Sequence, residues 1–143
     1  MPEKKYLVFI DGASRGNPGD AGIGIIIQDA QGEVLRSLYK YIGQTTNNVA
    51  EYTALIYALQ EALILGLKDV VVNSDSELLV KQLNGEYRVK NDNLRSLYEQ
   101  FLHLKSGFNK LELRQIKREE NKAADELANQ AINTRIDSSL KSA

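Results

Sequence analysis

The sequence predicts an α/β domain of three layers, in which a five-stranded mixed sheet is flanked by helices. Three observations carry this. The elements read in the order βββαβααβα, an antiparallel meander followed by strands that alternate with helices. Right-handed crossovers then set the strands after the first helix parallel to the first strand. Finally, 143 residues with 43% hydrophobic and 26% charged composition suit one domain with its own core.

Tyr6–Ile10 is a continuous apolar run ended by Asp11-Gly12, the pattern of a buried strand. Ala13–Gly24, rich in glycine and containing Asn17-Pro18-Gly19, reads as a loop. Ile23–Gln28 is the second strand and Gln31-Gly32 a turn. Val34, Leu35, Leu38, Tyr39 and Tyr41 mark the third strand. The period then changes. Leu55, Ala58, Leu59, Ala62 and Leu63 form a helical stripe within Asn48–Leu65, stopped by Gly66. Val70-Val71-Val72 predicts a fourth strand over Asp69–Asn73. Ser74 and Glu77 have the spacing of a capping box for a short helix that ends at Asn84-Gly85. Asn91 or Asn93 caps a further helix through Leu94, Leu97, Tyr98, Phe101 and Leu102. Leu111 and Leu113 alternate with Glu112 and Arg114, giving the fifth strand, and Glu120 to Ile132 forms the last helix.

Composition narrows the chemistry. The chain has no cysteine and a single histidine, which excludes thiolate zinc sites, iron–sulfur clusters, cysteine nucleophiles and histidine-rich metal sites. A resident metal must be held by oxygen, which points to Mg²⁺, Mn²⁺ or Ca²⁺. The formal net charge of −1 lacks the strongly basic balance of a protein that grips phosphate by charge alone. The apolar run after Lys5 is too short for a signal peptide, and none approaches the roughly 18 residues of a membrane span. A cytoplasmic protein is expected.

Four acids stand out. Asp11 and Asp75 fall at the ends of strands predicted to be parallel, where ligand sites of open α/β sheets collect. Each alone is equally a turn former or a helix cap. Glu51 precedes Leu55, Ala58, Leu59 and Ala62 on the apolar stripe, where an ionised carboxylate is costly unless paired or bound to metal. A first-turn acid favoured by the helix dipole is the other reading. Asp125 likewise borders the apolar face of Ala128 and Ile132. Brought together, four such carboxylates repel one another unless divalent cations lie between them. Two cations about 4 Å apart suit in-line phosphoryl chemistry. His103 lies mid-helix and reads as a structural or surface residue.

Ile10-Asp11-Gly12-Ala13-Ser14-Arg15-Gly16-Asn17-Pro18-Gly19, Thr46-Asn47-Asn48-Val49-Ala50-Glu51, Ser74-Asp75-Ser76 and Glu120-Asn121-Lys122-Ala123-Ala124-Asp125-Glu126-Leu127-Ala128 together resemble type 1 ribonuclease H, in that family's order and spacing. The resemblance runs from Lys5 to Ala131. It implies the ribonuclease H fold, with a catalytic domain over residues 1–134 and a polar C-terminal segment over 135–143. It further implies an endoribonuclease that hydrolyses the RNA strand of RNA–DNA hybrids by a two-metal-ion mechanism, leaving 5′-phosphate and 3′-hydroxyl ends. Asp11, Glu51, Asp75 and Asp125 would hold two Mg²⁺ ions, with Mn²⁺ as a substitute. Ser14, Asn17, Asn47, Asn48 and Glu77 would lie near the minor groove, and Thr46 near a DNA phosphate. Small amides suit that groove, whose 2′-hydroxyls distinguish RNA from DNA. A monomer is expected, with double-stranded RNA as an alternative substrate.

Two departures qualify the resemblance. Many bacterial members carry a histidine in a glycine-rich loop before the last aspartate. Gln115–Glu120 is short and has none, and Arg118 is the nearest replacement, by contacting a phosphate; a solvated surface arginine is the other reading. The basic, tryptophan-rich protrusion of several members is also missing. Glu86 to Arg118 still carries eight basic residues against four acids, with Tyr87 placed to stack on a sugar. Modest hybrid affinity and a shallow salt dependence are expected. The rivals are another nuclease on this fold and a catalytically silent hybrid-binding module.

Overall fold

The computed structural model describes residues 4–135. The expected polar segment 135–143 therefore lies outside the described residues apart from Arg135. Three strands come first, β1 (Lys5–Ser14), β2 (Gly19–Asp29) and β3 (Val34–Thr45). Helix α1 (Asn47–Ile64), β4 (Asp69–Ser74), α2 (Glu77–Leu83), α3 (Asp92–Lys105), β5 (Lys110–Gln115) and α4 (Lys122–Thr134) follow, with a single 3₁₀ turn at Arg118–Glu120. The sheet order is β3-β2-β1-β4-β5. The meander pairs antiparallel, whereas β1–β4 and β4–β5 pair parallel, as the crossover rule requires.

Alternation along β2 builds the layers. Ile23, Ile25 and Ile27 join Val8, Ile10, Tyr52, Leu55 and Leu59 in one core between the sheet and α1. Full burial of each such side chain contributes roughly 1.5–3 kcal/mol. The intervening Gly22 and Gly24 face α4. A Cβ at Gly24 would lie 2.2 Å from the Ala124 carbonyl oxygen, and one at Gly22 would lie 2.6 Å from that of Ala128. Ala124, Ala128 and Ala131 are fully buried on the helix side of that contact. This corrects the loop expected over Ala13–Gly24. Only residues 15–18 leave the strands, because the glycines further on serve close helix packing rather than turns.

Helix ends follow local chemistry. Thr46 caps α1 by accepting from the Val49 N–H at 3.3 Å. Gly66, at φ +76, takes the left-handed conformation that ends it. The cap of α2 is Ser76, which accepts from the Leu79 N–H at 3.2 Å, rather than Ser74. Ser74 belongs to β4, and its hydroxyl instead accepts from the Ser76 N–H. Asn91 caps α3. Among the described residues, no helix is long and apolar enough to cross a membrane.

Candidate active site

Parallel pairing of β1 with β4 brings Asp11 and Asp75 to the same end of the sheet, each just past the last pair, Phe9 with Asn73. Helix α1 lays Glu51 against them. It is the fifth residue of the helix, past the first turn, and 5% exposed, so the dipole reading gives way to burial. One oxygen from each of Asp11, Glu51 and Asp75 can be chosen so that all lie within 4.8 Å of one another. Asp125 arrives from the first turn of α4 and lies beside Asp11, outside that three-acid group. All four acids line a cleft of about 330 Å³, together with Gly12, Ala13, Asn47, Ser76 and Arg118.

The electrostatics are those of acids crowded without compensation. Burial first, then the charges of Asp75 and Asp125, push the Asp11 carboxyl up to about 8, against the pull of Arg118. Burial, then Asp11 and Asp75, lift Glu51 well above the usual carboxylate range, against the opposing pull of the Gly12 backbone amide. Glu51 Oε2 is buried without a hydrogen-bond partner among the described residues. Such an atom is expensive unless something positive meets it. An orphaned carboxylate oxygen and an all-oxygen donor set fit a hard divalent cation.

Two asparagines of the α4 region brace the acids. Asn121 Nδ2 donates to Asp75 Oδ2 at 3.2 Å and to the Ile10 carbonyl at 2.8 Å. Asn129 Nδ2 donates to Asp125 Oδ1 at 3.3 Å, while its Oδ1 accepts from Arg15 at 3.3 Å. Sequence reasoning gave neither a role. The spacing 121, 125, 129 repeats every four residues and sets Asn129 one turn after Asp125 and Asn121 at the cap before it, which was the available signal.

The remaining expected residues divide. Asn47 lines the cleft, and its N–H donates to Asn17 Oδ1 at 3.1 Å, tying the β1–β2 turn to the start of α1. Ser14 Oγ donates at the Gly16 carbonyl oxygen of that turn and lies 2.8 Å from the Thr45 carbonyl oxygen at the end of β3. Asn48 is exposed on the first turn of α1. Glu77 opens α2 and pairs with Lys81 at 2.9 Å. His103 is exposed in the last turn of α3. Away from the acids, Tyr87, Arg88, Arg95 and Tyr98 share a second groove of about 460 Å³ with Gln82.

This arrangement has known relatives. The family model described as "Reverse transcriptase-like" matches residues 9–131. The bifunctional protein Rv2228c of Mycobacterium tuberculosis is 40% identical over 140 residues, covering 97% of this chain and 38% of its own length. The chain thus spans well under half of that relative. RNase H1 of Halobacterium salinarum superposes with a TM-score of 0.88 at 37% identity, covering 91% of this chain and 98% of the other. LC11-RNase H1, solved in complex with an RNA/DNA hybrid, gives 0.87 at 44% identity over 91% and 98%. Agreement in fold, length of match and identity leaves one conclusion: the chain belongs to the type 1 ribonuclease H family.

Proposed function

We propose that this chain is an endoribonuclease that hydrolyses the RNA strand of RNA–DNA hybrids, leaving 5′-phosphate and 3′-hydroxyl ends. The observation that carries the reading is the three-acid group with its orphaned Glu51 oxygen in an open cleft. The hybrid-bound relative supports the substrate.

Asp11, Glu51 and Asp75 would hold the first Mg²⁺ ion, and Asp11 with Asp125 the second; Mn²⁺ has the same oxygen preference. Bound there, the cations supply charge neutralisation at the scissile phosphate and activation of water for in-line attack. Arg118, on the cleft wall, donates to a phosphate oxygen and assists product departure in place of a loop histidine. Asn17, Asn47 and Asn48 present amides to the minor groove, with Ser14 ordering their turn. Glu77 accepts from a 2′-hydroxyl, and Thr46 neighbours a DNA phosphate. The chain acts as a monomer, and the absence of cysteine suits a cytoplasmic setting.

An end-labelled hybrid, incubated beside single-stranded RNA, duplex DNA and double-stranded RNA, tests this. Mg²⁺, Mn²⁺ and EDTA form the arms, with Asp75→Asn in parallel. Cleavage confined to the hybrid's RNA strand, abolished by EDTA and by the substitution, is expected. Tight hybrid binding without cleavage in either metal would leave a binding module instead. Equal cleavage of double-stranded RNA would widen the substrate class.

A further inference from the structure

Asn121 is a buried polar residue, 2% exposed, that stands between the 3₁₀ turn and α4. Its backbone carbonyl accepts from the Asp125 N–H at 3.1 Å. Its side-chain nitrogen donates to the Ile10 carbonyl at 2.8 Å and to Asp75 Oδ2 at 3.2 Å. A primary amide nitrogen carries two hydrogens, so both bonds form at once. One side chain thereby joins the residue before Asp11, the carboxylate of Asp75 and the turn that launches Asp125.

The position needs such a tie. The β1–β4 ladder ends at Phe9 and Asn73, so past that point strand pairing no longer sets the distance from Asp11 to Asp75. Their like charges push them apart. The terminal torsion of an aspartate is also broad, so an unrestrained Asp75 carboxylate would turn over a wide range. A donor on Oδ2 removes that freedom. Aspartate at 121 would offer only acceptor oxygens to two acceptors, and serine only one hydrogen.

We propose that Asn121 is a positioning residue for the cation site, holding Asp75 in register with Asp11 and Glu51 by clamping Asp75 Oδ2 and the Ile10 carbonyl on one nitrogen. This rests on the reading that those acids bind divalent cations, and it concerns binding before any substrate arrives.

The test is calorimetric titration of Mn²⁺ into the substrate-free wild-type chain, Asn121→Ala, Asp75→Asn and the double variant, each with a thermal melt. Asn121→Ala is expected to weaken cation binding about tenfold, as loss of a group that orients a ligand does. In the Asp75→Asn background it should weaken binding no further, while still lowering the melting temperature through loss of the bond to the Ile10 carbonyl. Equal loss of affinity in both backgrounds overturns the inference, as does unchanged affinity with only a lower melting temperature. The wild-type chain gives a second readout that survives a misfolded variant. On Mg²⁺ addition the Asn121 side-chain NH₂ resonances should shift. Those of Gln82, bonded to the Arg88 carbonyl beside the second groove, should stay. A static Asn121 signal in a chain that binds cation overturns this inference alone. A wild-type chain that binds no divalent cation overturns the cation reading with it.

Discussion

Gly12 lies directly against the Ala50–Glu51 peptide of α1, and its missing side chain is what lets Gly12 and Glu51 meet. A Cβ at residue 12 would lie 2.3 Å from both the carbonyl carbon and the oxygen of Ala50. Those are backbone atoms of a buried helix and cannot step aside. Gly12→Ala should therefore lift α1 off β1, destabilising the chain by about 1–3 kcal/mol and separating Glu51 from Asp11. Denaturant unfolding and hybrid cleavage should both register it. A variant of unchanged stability would contradict the contact.

Stability without metal should fall as pH rises. Asp11 is held up to about 8 from an ordinary 3.8, mainly by burial and then by Asp75. Between those values the folded chain keeps a proton that the unfolded chain has released. Folding is thus favoured at the acid end, and that contribution is lost as pH climbs through the folded value. Glu51 moves in the same direction, again chiefly through burial. In EDTA the melting temperature should be lower at pH 8 than at pH 5, and Asp11→Asn should flatten the trend. Saturating Mg²⁺ should restore stability at pH 8, because it binds the folded, deprotonated site. A flat profile in EDTA would refute the crowded-acid picture.

Arg118 is exposed at the cleft wall, so its replacement tests chemistry rather than packing. Arg118→Ala should lower the cleavage rate about tenfold to a hundredfold while leaving the melting temperature in place. An unchanged rate would remove Arg118 from the mechanism.

Tyr87, Arg88, Arg95 and Tyr98 share the second groove, but Arg95 is already within 3.9 Å of Asp92. The groove thus offers two arginines, one of them already beside an acid, and hybrid affinity should vary weakly with salt. Arg88→Ala should reduce the slope of log affinity against log salt by about 1 if Arg88 meets a phosphate. A wild-type slope equivalent to eight or more ion contacts would rule out this account.

Periodicity and β-branched runs made the element order and the mixed pairing legible, because each follows from which residues must leave water. Glu51, by contrast, read equally as a first-turn acid until the helix start at Asn47 placed it past that turn. The β1–β2 region was misread for a physical reason. Gly22 and Gly24 are punctuation in a linear reading, yet in three dimensions they are the groove that admits α4, a partner about 100 residues away in the sequence. The Ser74 cap failed because β4 runs one residue further than its apolar core suggests. The four acids were legible as types at strand ends and on helix faces. Their division into three converging groups plus Asp125 was not, since it depends on where α4 docks. Asn121 escaped for a related reason: both partners of its side-chain nitrogen are distant in sequence.

Strand β1 lies in the middle of the sheet, hydrogen-bonded to β2 on one side and β4 on the other. Backbone amides in such a strand exchange with solvent chiefly when the whole domain opens, whereas helix termini and surface turns open on their own. Asp11 therefore belongs to a strand anchored by the sheet, whereas the turn at residues 15–18 leaves the ladder and is held by side chains, Asn17 on Asn47 and Ser14 on Thr45. The acidic centre is thus fixed by main-chain ladders, and the neighbouring turn by side-chain bonds to two other elements of the chain.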